Sequence, residues 1–172
     1  MYQIDIADRQ DCLPIDQSHL RRVAESVLRD ESVTNAQLSI ALVDGPSMRE
    51  LNRAYLDHDY DTDVLSFDLS DAVSAHIGEN ASQQTGRSIE GEIVISSEMA
   101  AQVAAGFDWS PQDEVVLYLV HGLLHLVGYD DSTVEQKAVM RTRERELLKG
   151  WNLSPRYSDP HPSAGDEVGG RA

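Results

Sequence analysis

His121 and His125 stand four residues apart in the run His121-Gly122-Leu123-Leu124-His125-Leu126-Val127-Gly128-Tyr129-Asp130-Asp131. On a helix, that spacing puts two side chains on one face with Cβ atoms about 5–6 Å apart. Two imidazoles so placed can share one ion at metal–nitrogen distances of about 2.0–2.1 Å for zinc. Gly128 lets the chain turn back at once, so that a residue two or three further on can supply a third ligand, and Asp130 and Asp131 both stand there. Three protein ligands and one open position is the pattern of a catalytic rather than a structural metal. Six histidines in 172 residues give roughly 0.2 such pairs by chance, so spacing alone is a weak signal. Placement strengthens it: imidazoles on an otherwise apolar helix cost desolvation unless they are partnered, and a glycine stop followed by carboxylates is no part of a chance pairing.

An ion with an open position could activate a water for hydrolysis. A zinc peptidase of the His-Glu-x-x-His kind carries its general base directly after the first histidine. Gly122 occupies that position, which argues against peptide cleavage and leaves the base to another residue. Asp63 and Asp130 are the catalytic candidates. Asp63 could equally cap the entry to a strand, and Asp130 could instead hydrogen-bond a ligand histidine from behind, the reading the sequence favours. His19, His76 and His161 read as solvated. Arg141, Arg143, Arg145 and Lys149, interleaved with Glu144 and Glu146, read as a salt-bridged surface of a helix. The alternative is a local RNA-contacting patch.

The elements that must hold these residues follow from periodicity and punctuation. Tyr2 to Ile6 alternates as a short edge strand, and Leu20, Val23, Ala24, Val27 and Leu28 form the apolar stripe of a helix over 19–29. A buried strand is expected over 37–43, then a break at Asp44-Gly45-Pro46 and a helix through Met48, Leu51, Asn52 and Tyr55. Strands are expected over 64–67 and 92–96, with a polar loop over 74–88 between them. The rest is helical: 97–105, then a helix opened by Ser110-Pro111 and stopped at Gly128, then a last helix capped by Ser132 and ending at Lys149-Gly150. Trp151 and Leu153 are expected to pack back. Strands early, helices late and helices between strands predict an α+β domain with a small mixed sheet over 1–153, followed by a disordered tail over 154–172.

Composition narrows the function classes. Fourteen Lys+Arg against thirty Asp+Glu leave a formal charge of −16. A long-range electrostatic grip on nucleic acid, and DNA binding in particular, is therefore not expected. An RNA partner would have to be held by a local patch or a metal. One cysteine, Cys12, excludes an internal disulfide and fits a reducing cytoplasm. The apolar stretch between Val115 and Val127 is too short and too polar to span a bilayer.

The His121–Asp131 run resembles the signature His-Gly-x-Leu-His-Leu-x-Gly-Tyr-Asp-His of the YbeY family of metal-dependent endoribonucleases, with Asp131 in place of the third histidine. Leu51-Asn52 with Tyr55, Asp59, and Thr62-Asp63-Val64-Leu65-Ser66-Phe67 resemble its second signature. Gly91-Glu92-Ile93-Val94-Ile95-Ser96 resembles its Gly-Asp-Ile strand, and Met140-Arg141 with Glu144 its last helix. The resemblance implies a small α+β hydrolase fold with one zinc ion on His121, His125 and Asp131. It also implies single-strand-selective RNA cleavage in the cytoplasm, in 3′-end maturation of small-subunit ribosomal RNA and in ribosome quality control. On the same analogy Glu92 is expected in the cleft. Two departures stand out. A His₂-carboxylate set also resembles non-haem iron sites, and Leu56 occupies the position where the family often has an arginine, with His58 nearby. Two other functions stay open on this reading: a non-catalytic ribosome-associated factor with a structural metal, and a metallohydrolase of another substrate.

Overall fold

The computed structural model of the chain describes residues 1–57, 62–70 and 87–157. In chain order these give β1 (Tyr2–Arg9), α1 (Gln17–Asp30), β2 (Val33–Val43), α2 (Gly45–Leu56), β3 (Val64–Asp68), β4 (Arg87–Ser96), α3 (Ser97–Ala105), α4 (Pro111–Leu126) and α5 (Val134–Lys149). The strands form one mixed sheet in the order β1-β2-β4-β3. β1, β2 and β4 run parallel, and β3 is antiparallel to β4. This is the mixed α+β architecture that the sequence predicts.

The central strand β2 shows why its sequence is nearly all apolar after Gln37: it is covered on both sides. Leu38, Ile40 and Leu42 join Ile93 and Ile95 of β4 in the main core, where the stripes of α1 and α4 meet the sheet. The alternate residues Ala41, Val43 and Val94 turn to the other face, under Met48 of α2 and Leu65 of β3. The same alternation corrects the expectation for Glu92: it lies on the face away from α4 and does not line the cleft described below.

α4 is the element that carries the site. Ser110 caps it by accepting from the Asp113 amide at 3.1 Å, and Pro111 occupies its first turn. Eleven of its sixteen residues are buried, because the sheet lies beneath it and helices flank it. Close approach to the sheet depends on glycine: a Cβ at Gly122 would stand 3.0 Å from Ile93 Cγ2 and 3.3 Å from Val64 Cγ2. Past the helix, Gly128 takes φ +101°, a conformation open to glycine and strained for other residues. The Arg87 guanidinium donates to the Val127 carbonyl at that end.

Several boundaries differ from expectation, with β1 running on to Arg9 and β2 beginning at Val33. The last helix is capped by Thr133, not Ser132. Thr133 and Gln136 form a reciprocal capping box, whereas the Ser132 hydroxyl donates to Asp130 Oδ1 at 2.7 Å. β4 begins at Arg87, so Arg87 and Ser88 belong to the strand and not to the polar loop, while 74–86 lies outside the described residues. Packing also continues past Leu153. Trp151 and Leu153 lie against the core as expected, and so does Tyr157, with Pro155 buried. One aromatic ring is enough to dock a stretch whose composition is otherwise that of a tail. Residues 158–172, with His161, and also His58 and His76, lie outside the described residues.

Candidate metal centre

The last two turns of α4 and the turn after it bring three side chains together. His121 Nε2 lies 3.1 Å from His125 Nε2. The Asp131 carboxylate lies 3.7 Å from each of them, through Oδ2 and Oδ1 respectively. Each side chain keeps part of its surface exposed, at 26%, 28% and 35%. Atoms bound tetrahedrally to one ion at about 2.0–2.2 Å would stand roughly 3.3–3.6 Å apart, close to these separations.

The tautomers make the geometry more telling. His125 Nδ1 faces the Tyr129 carbonyl at 3.1 Å. A carbonyl only accepts, so Nδ1 carries the proton and Nε2 a lone pair. His121 Nδ1 faces Glu144 Oε1 at 2.7 Å, while Tyr157 donates to the other oxygen, Oε2, at 2.5 Å. His121 therefore also presents its Nε2 lone pair. Two lone pairs and a carboxylate thus converge with no donor between them, an arrangement that calls for a positive species, a shared proton or a metal ion. The local field agrees. Burial works against a charged His121, but the bond to Glu144 and the nearby Asp63 and Asp131 carboxylates outweigh it and hold its pKa above the ordinary value. His121, His125 and Asp131 form a group that could hold a metal ion. They fit one by donor type, by spacing and by the orienting bonds behind the two imidazoles.

The neighbouring aspartate is used differently. Asp130 is exposed, and its Oδ1 accepts from the Asp131 amide at 2.7 Å, the Ser132 amide at 3.3 Å and the Ser132 hydroxyl at 2.7 Å. These bonds, the Ser132 hydroxyl first, hold its carboxyl below the usual carboxylate range. Asp130 shapes the turn. It makes no hydrogen bond to either histidine, so it does not support a ligand imidazole from behind, the reading that the sequence favoured.

His121 and Asp131 line a cleft of about 470 Å³ between α3, α4 and α5, with His125 beside them. Asp63, one of the two candidate bases, lines it from just before β3, and its Oδ1 accepts from the Val64 amide at 2.8 Å. Two carboxyls that sequence reasoning missed belong here. Glu144, read as part of a solvated surface, is 2% exposed and holds His121 from behind. Its spacing from Met140 and Leu148, four residues either way on the buried stripe of α5, was the available signal. Glu114, one turn before Tyr118 and two before His121, is buried, and burial pushes its carboxyl up to about 7 despite the hydrogen bond from Tyr118. The basic series also divides: Arg141 lines the cleft, whereas Arg143 is committed to Glu31 at 2.6 Å and Glu146 at 2.8 Å.

Comparison with known proteins gives one consistent result. The family model described as endoribonuclease YbeY matches residues 5–152. A curated protein named endoribonuclease YbeY from Salinibacter ruber is 42% identical over 134 residues, covering 78% of this chain and 82% of that protein. One of the same name from a Sulfurovum species is 36% identical over 154 residues, covering 89% and 94%. Among solved structures, the solution structure of TM1509 from Thermotoga maritima matches with a TM-score of 0.56 at 22% identity, over 98% of this chain and all of that one. That last likeness is one of fold.

Proposed function

Because this chain belongs to the endoribonuclease YbeY family, we propose that it is a cytoplasmic, zinc-dependent, single-strand-specific endoribonuclease that processes the 3′ end of small-subunit ribosomal RNA and serves ribosome quality control. Metal-dependent hydrolysis of RNA is the part that family membership carries; the strand preference, the ribosomal substrate, the compartment and the ion are the finer reading. The observation that supports it best is the convergence of two imidazole lone pairs and one carboxylate at the edge of an open cleft.

His121 Nε2, His125 Nε2 and the Asp131 carboxylate would hold the ion. When bound, it supplies Lewis acidity toward a phosphodiester oxygen and lowers the pKa of a water. The protein's own groups do the rest. Glu144 and the Tyr129 carbonyl fix the two rings so that their Nε2 atoms face inward. Glu114, with a carboxyl balanced near neutrality, is the group in the cleft suited to take a proton from an attacking water and return it to a leaving oxygen. Asp63 is the second candidate for that role. A side chain at position 122, where a peptidase base would stand, would press on Ile93 and Val64 of the sheet.

The test is cleavage of a 5′-labelled single-stranded RNA, against the same RNA as a duplex, by the metal-loaded full chain. Cleavage should be confined to the single strand, stop with a chelator and fall by orders of magnitude in His121→Ala. The rate should climb as pH rises through about 7, where Glu114 ionises, and Glu114→Gln should flatten that limb. Intact RNA under metal-loaded conditions would remove the proposal.

A further inference from the structure

One wall of the cleft is cationic in a protein whose net charge is −16. Lys137 and Arg141 lie one helical turn apart on α5, and Arg156 joins them from the segment that follows. The Arg141 guanidinium stands 4.5 Å from the centre of the Tyr157 ring, so that its position is fixed by stacking as well as charge. The wall contributed by α3 and its C-terminal turn is apolar: Met99, Val103 and Phe107. The acidic groups of the cleft have other engagements. Glu144 accepts from His121 and Tyr157, Asp131 stands with the histidines, Asp63 accepts from the Val64 amide and Glu114 is held near neutrality.

Cations on one side, an aromatic and aliphatic surface on the other, and a metal-type site at the edge match the two-sided chemistry of a nucleotide. We propose that this cleft seats one nucleotide of single-stranded RNA beside the scissile bond, its phosphate on Lys137, Arg141 and Arg156 and its base against Phe107, Met99 and Val103. The inference rests on the ribonuclease reading above and adds which residues grip the substrate. It also supplies a physical origin for strand preference. A volume of about 470 Å³ lies within the roughly 300–1,000 Å³ of small-ligand sites. A base can enter such a space only after leaving its stack, which is least costly in a single strand.

Lys137 and Arg156 are both exposed and make no part of the Tyr157 stacking, so the double variant Lys137→Ala/Arg156→Ala should fold. In the metal-loaded full chain, steady-state cleavage of a labelled oligouridylate should show KM raised about tenfold, with kcat held within about twofold and metal content unchanged. The slope of log(kcat/KM) against log salt should become shallower by up to about 0.7, because the seat neutralises one phosphate and each phosphate neutralised on a single strand is worth about 0.7. Lys137→Arg should keep the wild-type KM and slope, which a merely structural role would not require. Unchanged KM and salt slope in the double variant, with wild type cleaving normally, overturn this inference and leave the ribonuclease reading standing. Wild-type chain that leaves the oligouridylate intact overturns both.

Discussion

Asp130 and Asp131 are neighbours with the same functional group and opposite surroundings. Asp131 meets two imidazoles with no donor between them, so it loses solvation and gains only if a cation sits there. Asp130 meets three donors of its own turn and needs no ion. Their alanine variants should therefore separate. In metal titrations Asp131→Ala should bind far more weakly, since two protein ligands remain, and Asp131→His should retain the ion. Asp130→Ala should keep its metal and show only a small fall in melting temperature. Retention in Asp131→Ala with loss in Asp130→Ala would reassign the third ligand. At this scale the histidine pair and a nearby carboxylate were legible because four-residue spacing and a glycine turn translate directly into shared direction. Glu144 and Glu114 were not, because a carboxylate reads as solvated until its burial is known, and burial is set by which helix lies across it.

The elements were legible where local chemistry is decisive and blurred where pairing is remote. Asp44, Ser110 and Gly128 mark helix ends by capping and backbone freedom alone, and the structure places the ends there. β4 begins five residues before the expected start because Arg87 to Gly91 is not continuously apolar; its pairing with β2, over fifty residues away in sequence, makes it a strand. The order β1-β2-β4-β3 was likewise beyond the sequence, since β3 is inserted by an antiparallel return to the sheet edge. What locks α4 onto this sheet is the absence of side chains at two positions. At Gly91, a Cβ would stand 2.8 Å from Leu126 Cδ1 and 3.0 Å from the Phe67 carbonyl oxygen. The leucine can turn, but the backbone carbonyl cannot withdraw without disturbing the β3–β4 ladder. Gly91→Ala should accordingly cost about 1–3 kcal/mol, as overpacking of a filled core does, read as a lower urea midpoint with unchanged slope. A midpoint equal to wild type would show that the α4–sheet interface has slack.

Across the whole molecule, the site depends on an interaction beyond the expected end of the domain. Tyr157 donates to Glu144, which is thereby held for His121. Burial and that hydrogen bond push the Tyr157 hydroxyl well above the usual range, so it stays a donor at any ordinary pH. Arg141 and Arg145 lie over its ring at 4.5 and 5.0 Å, which fixes the segment against α5. Composition hid this: prolines and polar residues dominate after Leu153, and a single docked tyrosine leaves no periodic trace. Two truncations distinguish a tail from a working part. A chain ending at Tyr157 should keep the melting temperature and metal affinity of the full sequence. A chain ending at Leu153 removes the donor to Glu144 and should lose about 10–100-fold in metal affinity, the usual cost of removing support behind a ligand histidine. Its melting temperature should also fall. If instead the shorter chain binds metal as the full chain does, Glu144 holds His121 unaided and the last segment contributes only to the cleft wall.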